Sequence, residues 1–421
     1  MWIVFPGVLG LVLFFLRRWP RLSLWISALA ALLLALAAWR LPIGVPLPFL
    51  PSITIQDTML VLGRRFVLGA NDRLSLLLIY LGVAMWFGGS RIARTGSLFA
   101  PLGLIATALL TAALAVEPVL YAALLIEMAA LVCVPILSPP HRPAGRGALR
   151  FITFQTLGMP LILFTSWMIP SVEANPGRTE LVSSLSVLLL LGFALLAAVF
   201  PFHVWLPMVS AETNPYAVAF IFFIVMGTVS TLGLTFLVRY EWLRTPVVLS
   251  ALRLLGVSMV LIGGVWSAFE QHLGRIMGFA MILIIGVALI AVSLGASAGL
   301  AAQQGQPLTS LPPLISLLFA LFIPTGICLA VWSLALTAIR NQSGDLRLPA
   351  VQGIAHRLPI ASSGVVIANL AVAGLPLLAF FPIYIGLWSA LAQEALGVSL
   401  VALIGLAGLA LASLRSAAAH A

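Results

Sequence analysis

The 421-residue chain contains no lysine: all 21 of its basic residues are arginine, set against 11 acidic ones. Only 8% of its residues are charged, and its two cysteines, Cys133 and Cys328, each lie inside an apolar run, so neither a disulfide framework nor a cysteine-ligated metal site is expected. The formal charge of +10 does not point to nucleic acid, because the arginines are dispersed between apolar stretches and form no patch or stripe. No P-loop, dinucleotide-binding fingerprint, pair of catalytic carboxylates or metal-ligand cluster occurs, which speaks against an autonomous soluble-type enzyme.

What the chain has in abundance is hydrocarbon. Apolar residues make up 62% of it and the mean hydropathy is +1.19, far beyond an ordinary globular protein. A bilayer-spanning helix needs about 20 largely apolar residues. Thirteen candidate spans follow: 1–16, 22–39, 73–89, 97–116, 118–137, 149–169, 181–200, 216–238, 246–267, 275–297, 311–338, 359–393 and 396–414. The expected fold class is an all-α integral membrane protein. The longest link, 40–72, is too short to bury a core of its own.

Arginine placement predicts topology. Links after odd-numbered spans, with the C-terminal tail, carry 13 arginines and the even-numbered links 8, Arg253 being grouped with the link before the ninth span. The positive-inside rule then puts the odd links in the cytoplasm and the N-terminus outside. The first apolar run precedes Arg17 and Arg18, the reverse of a secretory signal, so it reads as a retained span.

The stretch FPFHVWLPMVSAETNPYAVAF, at residues 200–220, interrupts the apolar pattern. Pro201, Pro207 and Pro215 each remove a backbone donor and clash with the preceding turn, so a continuous helix cannot pass through them. Span twelve carries a comparable interruption at Gly374, Pro376 and Pro382. Broken helices at membrane depth are tolerated where the freed backbone is buried in protein or lines a polar cavity. Interruptions in spans seven and twelve, five spans apart, are the pattern of inverted five-helix repeats. The expected organisation is an N-terminal group of spans 1–3 (residues 1–96), a first repeat of spans 4–8 (97–240) and a second of spans 9–13 (246–414).

Few residues inside the spans can change charge. Glu127 lies near the middle of span five, where a charge costs about 2.5–3.5 kcal/mol on insertion scales and usually marks function. The competing reading is an acid hydrogen-bonded to a neighbouring helix. His203, in the break, is either a hydrogen-bonded structural residue or a proton carrier. Thr228, Ser230 and Thr231 form a hydroxylated patch in span eight suited to close helix packing. Asp72, just ahead of span three, reads as a charge complementing the positive end of a helix dipole. Glu270, His272 and Arg275 resemble an interfacial ion-pair cluster, and the polar link IRNQSGDLRLPAVQGIAHRLP is a plausible contact for a partner.

These motifs carry a resemblance. PFHVWLP followed by AETNPYAVA is similar to the signature of the antiporter-like proton-translocating membrane subunits of respiratory complex I, shared with membrane-bound hydrogenases and Mrp-type cation/proton antiporters. ANDRLSLLL opening span three, Glu127, TLGLTFLVRY closing span eight, HLGRIMGF opening span ten and AGLP in span twelve extend it along most of the chain. Members usually have fourteen spans with both termini outside, so thirteen implies a shortened C-terminus or a fourteenth helix not counted. The resemblance implies a mid-membrane row of protonatable residues: a glutamate in span five paired with a lysine in span seven, a lysine in span eight, a histidine in span ten and a lysine or glutamate in span twelve. Only Glu127 matches. Leu196 stands at the span-seven lysine, Thr231 at the span-eight lysine, Ile284 near the histidine and Tyr384 near the span-twelve lysine.

The resemblance therefore implies a membrane subunit of a complex I-like (NADH:quinone oxidoreductase-like) or hydrogenase-like complex in a bacterial plasma membrane, with an impaired proton channel. The chain itself has no redox cofactor ligands, so flavin, iron–sulfur and quinone chemistry is expected on partner subunits. Two alternatives stand beside this. One is an active proton or Na+/H+ antiporter component in which Glu127, His203 and water held by Thr228, Ser230, Thr231, Asn369 and Tyr384 carry the ion. The other is a scaffold in an unrelated membrane assembly.

Overall fold

Proline and glycine decide where the apolar runs begin and turn. The computed structural model describes residues 1–47, 50–61, 63–138, 144–175, 177–302 and 312–421. The first two helices, α1 (Val4–Phe15) and α2 (Pro20–Arg40), lead into a link that forms short antiparallel strands, β1 (Pro46–Leu47) with β2 (Leu50–Thr54) and β3 (Thr58–Val61) with β4 (Arg64–Val67). A fifth strand, β5 (Val116–Glu117), pairs with β4 in the register Arg65↔Glu117, and the Arg64 guanidinium sits 3.9 Å over the Tyr121 ring. The long link is thus pinned to the far end of a later helix by backbone pairing and a cation–π contact.

The remaining helices are α3 (Arg73–Gly89), α4 (Phe99–Ala115), α5 (Ala122–Leu137), α6 (Arg146–Ala174), α7 (Thr179–Leu196), α8 (Trp205–Glu212), α9 (Pro215–Ile221), α10 (Gly227–Arg239), α11 (Pro246–Phe269), α12 (Leu273–Ala302), α13 (Pro312–Ser343), α14 (Pro359–Val372), α15 (Phe381–Glu394) and α16 (Leu396–His420). Proline opens α2, α9, α11 and α14, where its missing N–H belongs to the unpaired first turn. A π-helical turn, Phe222–Met226, joins α9 to α10 in one rod. Among the described residues ten helices, this rod counted once, are long and apolar enough to cross a bilayer, and α1 and α4 are shorter apolar helices. The run 359–393, which the sequence reads as one span, is divided into α14 and α15.

The rod and α12 form the centre of the bundle. Every residue from Pro215 to Met226 is buried, and α12 packs against α8, α11 and α13. Glycines set the closest approaches. A Cβ on Gly256 of α11 would lie 2.7 Å from the Gly286 carbonyl of α12, and one on Gly264 would collide with the Gly405 backbone of α16. With lipid as solvent, van der Waals contact of this kind is a main source of helix association.

The break after α7 lies between residues 196 and 202, with Ala198 in the left-handed region (φ 54°) and a 3₁₀ turn at Phe202–Val204. Pro201 falls in this break, Pro207 lies in the first turn of α8 and Pro215 opens α9. AETN then works as a junction. Glu212 Oε2 accepts the Gly147 amide at 2.8 Å, capping α6. Asn214 Oδ1 accepts the Tyr216 amide at 2.9 Å, and its Nδ2 donates to the Ala93 carbonyl at 3.3 Å. Thr337 donates to Asn214 Oδ1 at 3.4 Å, and Arg340 donates to the Thr213 carbonyl.

In the second break, between α14 and α15, Gly374 has φ +80°, and a Cβ there would strike the Tyr384 ring. Pro376 lies inside the break and Pro382 in the first turn of α15. The polar link after α13 packs on the chain itself: Leu273 donates to the Leu346 carbonyl at 2.9 Å, Leu348 to the Gln271 carbonyl at 2.8 Å, and Asp345 lies 3.9 Å from His272. Arg253, grouped with a link on sequence, belongs to α11 proper. It pairs with Glu394 of α15 and donates to Ser293 and Ser297 of α12 at 3.3 and 3.2 Å.

Candidate functional site

A cavity of about 330 Å³ lies beside the central rod, between α3, α4, α10, α12 and α13. Its wall is mostly hydrocarbon, with hydroxyls at Ser75, Thr107, Thr228, Ser230, Thr231, Thr235 and Thr325 and one carboxylate, Asp72. Phe222, Phe223 and Ile224, at the π-helical turn, also line it. A π turn widens the helix locally and often accompanies function.

The threonines share one orientation. Thr228 donates to the Ile224 carbonyl at 2.7 Å, Thr231 to Gly227 at 2.9 Å and Thr235 to Thr231 at 3.0 Å. Thr325 donates to Leu321 at 2.7 Å and Thr107 to Gly103 at 2.7 Å. A hydroxyl has one hydrogen and two lone pairs, so each of the five spends its only donor on its own helix and offers acceptors alone.

Asp72 ends the 3₁₀ turn Ala70–Asp72 that precedes α3, and its Oδ2 accepts the Gly69 amide at 2.8 Å. The adjacent Arg73 is directed elsewhere: its Nε donates to the Ala38 carbonyl at 3.0 Å and its Nη2 to the Trp39 carbonyl, at the C-terminal end of α2. ANDR thus closes the 3₁₀ turn ahead of α3 with Asp72 and caps the end of α2 with Arg73, and the carboxylate keeps its place in the cavity lining.

The structure gathers some of the sequence-derived candidates here and leaves others apart. Thr228, Ser230, Thr231 and Ile284 all line the cavity, so two positions at which the resemblance implies a lysine and a histidine meet in one space as a hydroxyl and a hydrocarbon. Glu127 does not line it. The acid is half-buried on α5, next to exposed Leu124, Met128 and Leu131, and forms no hydrogen bond or ion pair among the described residues. Leu196 is fully buried, packed on Gly158 of α6, and its carbonyl accepts the Gln155 side-chain amide at 3.0 Å. His203 is half-buried and stacks on Phe200, with ring centroids 5.7 Å apart and Nδ1 without a hydrogen-bond partner.

Tyr384 is buried and donates to the Val372 carbonyl at 3.0 Å, bracing the second break. Asn369 of α14 is wholly buried with neither amide atom paired. Neither residue lines the cavity. Among the described residues no three His, Cys, Asp or Glu side chains come together as a metal site. Sequence reasoning missed Asp72 as a member of the cavity, and Thr107 and Thr325 altogether. Ser75, three positions after Asp72 and on the same helical face, was the available signal.

Comparison with known proteins gives a consistent picture. A family model described as NADH:quinone oxidoreductase/Mrp antiporter, TM matches residues 164–410. The chain is 27% identical over 210 residues to the A/B polypeptide of a probable K+/H+ antiporter from Rhizobium meliloti, covering 47% of this chain and 18% of that one. It is 29% identical over 214 residues to NADH-quinone oxidoreductase subunit N of Cereibacter sphaeroides, covering 50% and 42%. The chain thus spans less than half the length of either of these relatives. The Mrp complex from Dietzia sp. DQ12-45-1b contains a chain of similar fold, with a TM-score of 0.78 at 18% identity, covering 98% of this chain and 78% of that one.

Proposed function

Because the chain belongs to the NADH:quinone oxidoreductase/Mrp antiporter transmembrane family, we propose that it is a membrane subunit of a complex I-like or hydrogenase-like ion-translocating assembly whose own mid-membrane proton path is interrupted. Neighbouring membrane subunits are its partners, and flavin, iron–sulfur and quinone chemistry resides on other chains. The assembly sits in a bacterial plasma membrane with this chain's N-terminus outside, as the arginine asymmetry suggests.

One observation carries the interruption. Leu196, where the resemblance implies a lysine, is buried hydrocarbon against Gly158 with its carbonyl already bonded by Gln155, while Glu127 faces away from the cavity that holds Thr231 and Ile284. A proton relay along the midplane needs neighbouring groups that change charge or hold water, and Leu196 does neither. The broken helices α7–α8 and α14–α15 support a scaffold retained from two inverted repeats. Its role is then to hold neighbouring subunits and couple their conformations.

The hydroxyl wall of the cavity favours a second reading, an active proton or Na+/H+ antiporter component. Membership of the assembly is tested by purifying the full chain from its native membrane and identifying what accompanies it by mass spectrometry. Quinone-oxidoreductase-, hydrogenase- or antiporter-type subunits are expected, and isolation of the chain in an assembly lacking all three overturns the proposal.

A further inference from the structure

We propose that the outward-facing groove between α2, α3 and α13 is a binding site for one anionic phospholipid, with an acyl chain lying in the groove and the phosphate held by Arg18 and Arg21. The proposal goes beyond the function given above and needs only that the chain spans a bilayer.

The groove is hydrocarbon with a fixed floor. It encloses about 540 Å³ and, the Trp25 indole aside, its lining carries no hydroxyl, amide or charged side chain. Leu29 and Leu32 of α2, Met85 of α3 and Ile327 of α13 are exposed along its rims, so it opens outward. Phe223 and Phe322 form its floor, with ring centroids 4.6 Å apart, and divide it from the hydroxyl-lined cavity whose wall they share. A Cβ on Gly82 would lie 2.5 Å from the Phe223 ring and one on Gly326 2.7 Å from it, so the ring occupies a slot that only glycine leaves open. A groove of fixed shape in a bilayer orders one hydrocarbon chain, where a smooth helix face is only wetted by exchanging lipid.

The groove ends in arginine. Arg21 lies four residues before Trp25, on the same face of α2, and Arg18 precedes it at the helix entry. With 21 residues, α2 is about 31 Å long at 1.5 Å per residue, so its first turn reaches headgroup level. Arg73, at the start of α3, donates to the Ala38 carbonyl near the end of α2. The two helices therefore run antiparallel, and Arg91 and Arg94, just beyond α3, come to the same end of the bundle as Arg21.

That end is positive and unbalanced. Arg18, Arg21, Arg91 and Arg94 are exposed and form no ion pair among the described residues. No acidic residue occurs in 1–56 or in 73–116. Asn214 joins the AETN junction to this end through the Ala93 carbonyl, and the carboxylate there, Glu212, is taken by the Gly147 amide. A basic rim over an apolar groove matches a ligand with phosphate above and hydrocarbon below. An apolar helix of a partner would fill the groove and leave the arginines without counter-charge.

The test is photo-crosslinking of the complete membrane complex in nanodiscs. Phosphatidylglycerol and phosphatidylcholine carrying the same diazirine-bearing acyl chain are compared in parallel, and adducts are located by peptide mass spectrometry. Adducts on Leu29, Leu32 and Met85 are expected to be at least about fivefold more abundant with phosphatidylglycerol, the enrichment that one basic residue near a surface confers. Arg18→Gln combined with Arg21→Gln is expected to remove most of that preference.

If the arginine variant fails to assemble, Leu32→Trp fills the groove and leaves the arginines in place; it is expected to remove most of the phosphatidylglycerol adducts on Met85. Four outcomes overturn the proposal: equal labelling by the two lipids, meaning bulk lipid only; a preference that survives loss of both arginines; Met85 adducts unchanged by Leu32→Trp; or a groove that takes no lipid adduct because a partner's helix covers it.

Discussion

Glu212 caps α6 from 65 residues away: its Oε2 accepts the Gly147 amide at 2.8 Å, so the carboxylate in the AETN motif closes a helix start. The expected effect of Glu212→Ala is a loss of about 0.5–2 kcal/mol, the range for removal of a helix N-cap, with Glu212→Gln losing less because an acceptor oxygen remains. Thermal unfolding of the purified protein in detergent checks the order of the two variants.

Arg253 and Glu394 predict a coupled pair. Their side chains are 22% and 38% exposed, so solvent screens part of the attraction. Arg253→Gln is expected to cost about 1–2 kcal/mol, above the surface median and below a fully buried pair. The arginine also holds Ser293 and Ser297 of α12. In a double-mutant cycle with Glu394→Gln the second substitution should therefore add little. Additive losses in the unfolding midpoint would show that the two side chains act separately.

His272 predicts a pH dependence. Burial pushes its pKa below the ordinary histidine value; Asp345 opposes this, Arg275 adds to it, Glu270 opposes it and Arg340 adds to it. In the fold its Nδ1 accepts the Gly274 amide at 3.1 Å, which requires the nitrogen to be unprotonated. The stabilisation is complete above the unfolded value of about 6.5 and is lost as pH falls from there through the lowered folded value. His272→Gln should remove that part of the pH dependence of the unfolding midpoint; a slope unchanged between the two proteins would contradict it.

Much of this fold was legible because lipid makes the rules strict. Apolar length placed α2, α6, α11 and α16 near their observed bounds, and proline marked the starts of α9 and α14. Pro207 and Pro382 misled as helix breaks because a proline in a first turn removes an N–H that has no partner anyway, and sequence position alone does not reveal which turn it occupies. The strands of the 40–72 link were invisible, since β4 finds β5 only after α3 and α4 bring them together.

The candidate site was half legible. Thr228, Ser230 and Thr231 stood out as a hydroxylated patch, but their pairing with Asp72 depends on α3 and α10 meeting in space. Glu127 drew attention by its depth in a span, and depth says nothing of azimuth: α5 turns it toward exposed Leu124, Met128 and Leu131 rather than toward the cavity.

The interrupted path meets its most direct test in the number of ions moved per electron by the complete complex reconstituted in vesicles, compared between the native chain and Glu127→Gln. With Leu196 buried between α6 and the break, the ratio should be the same for both proteins. A large fall in the ratio with electron transfer intact would contradict the account and make Glu127 a working member of a conducting path.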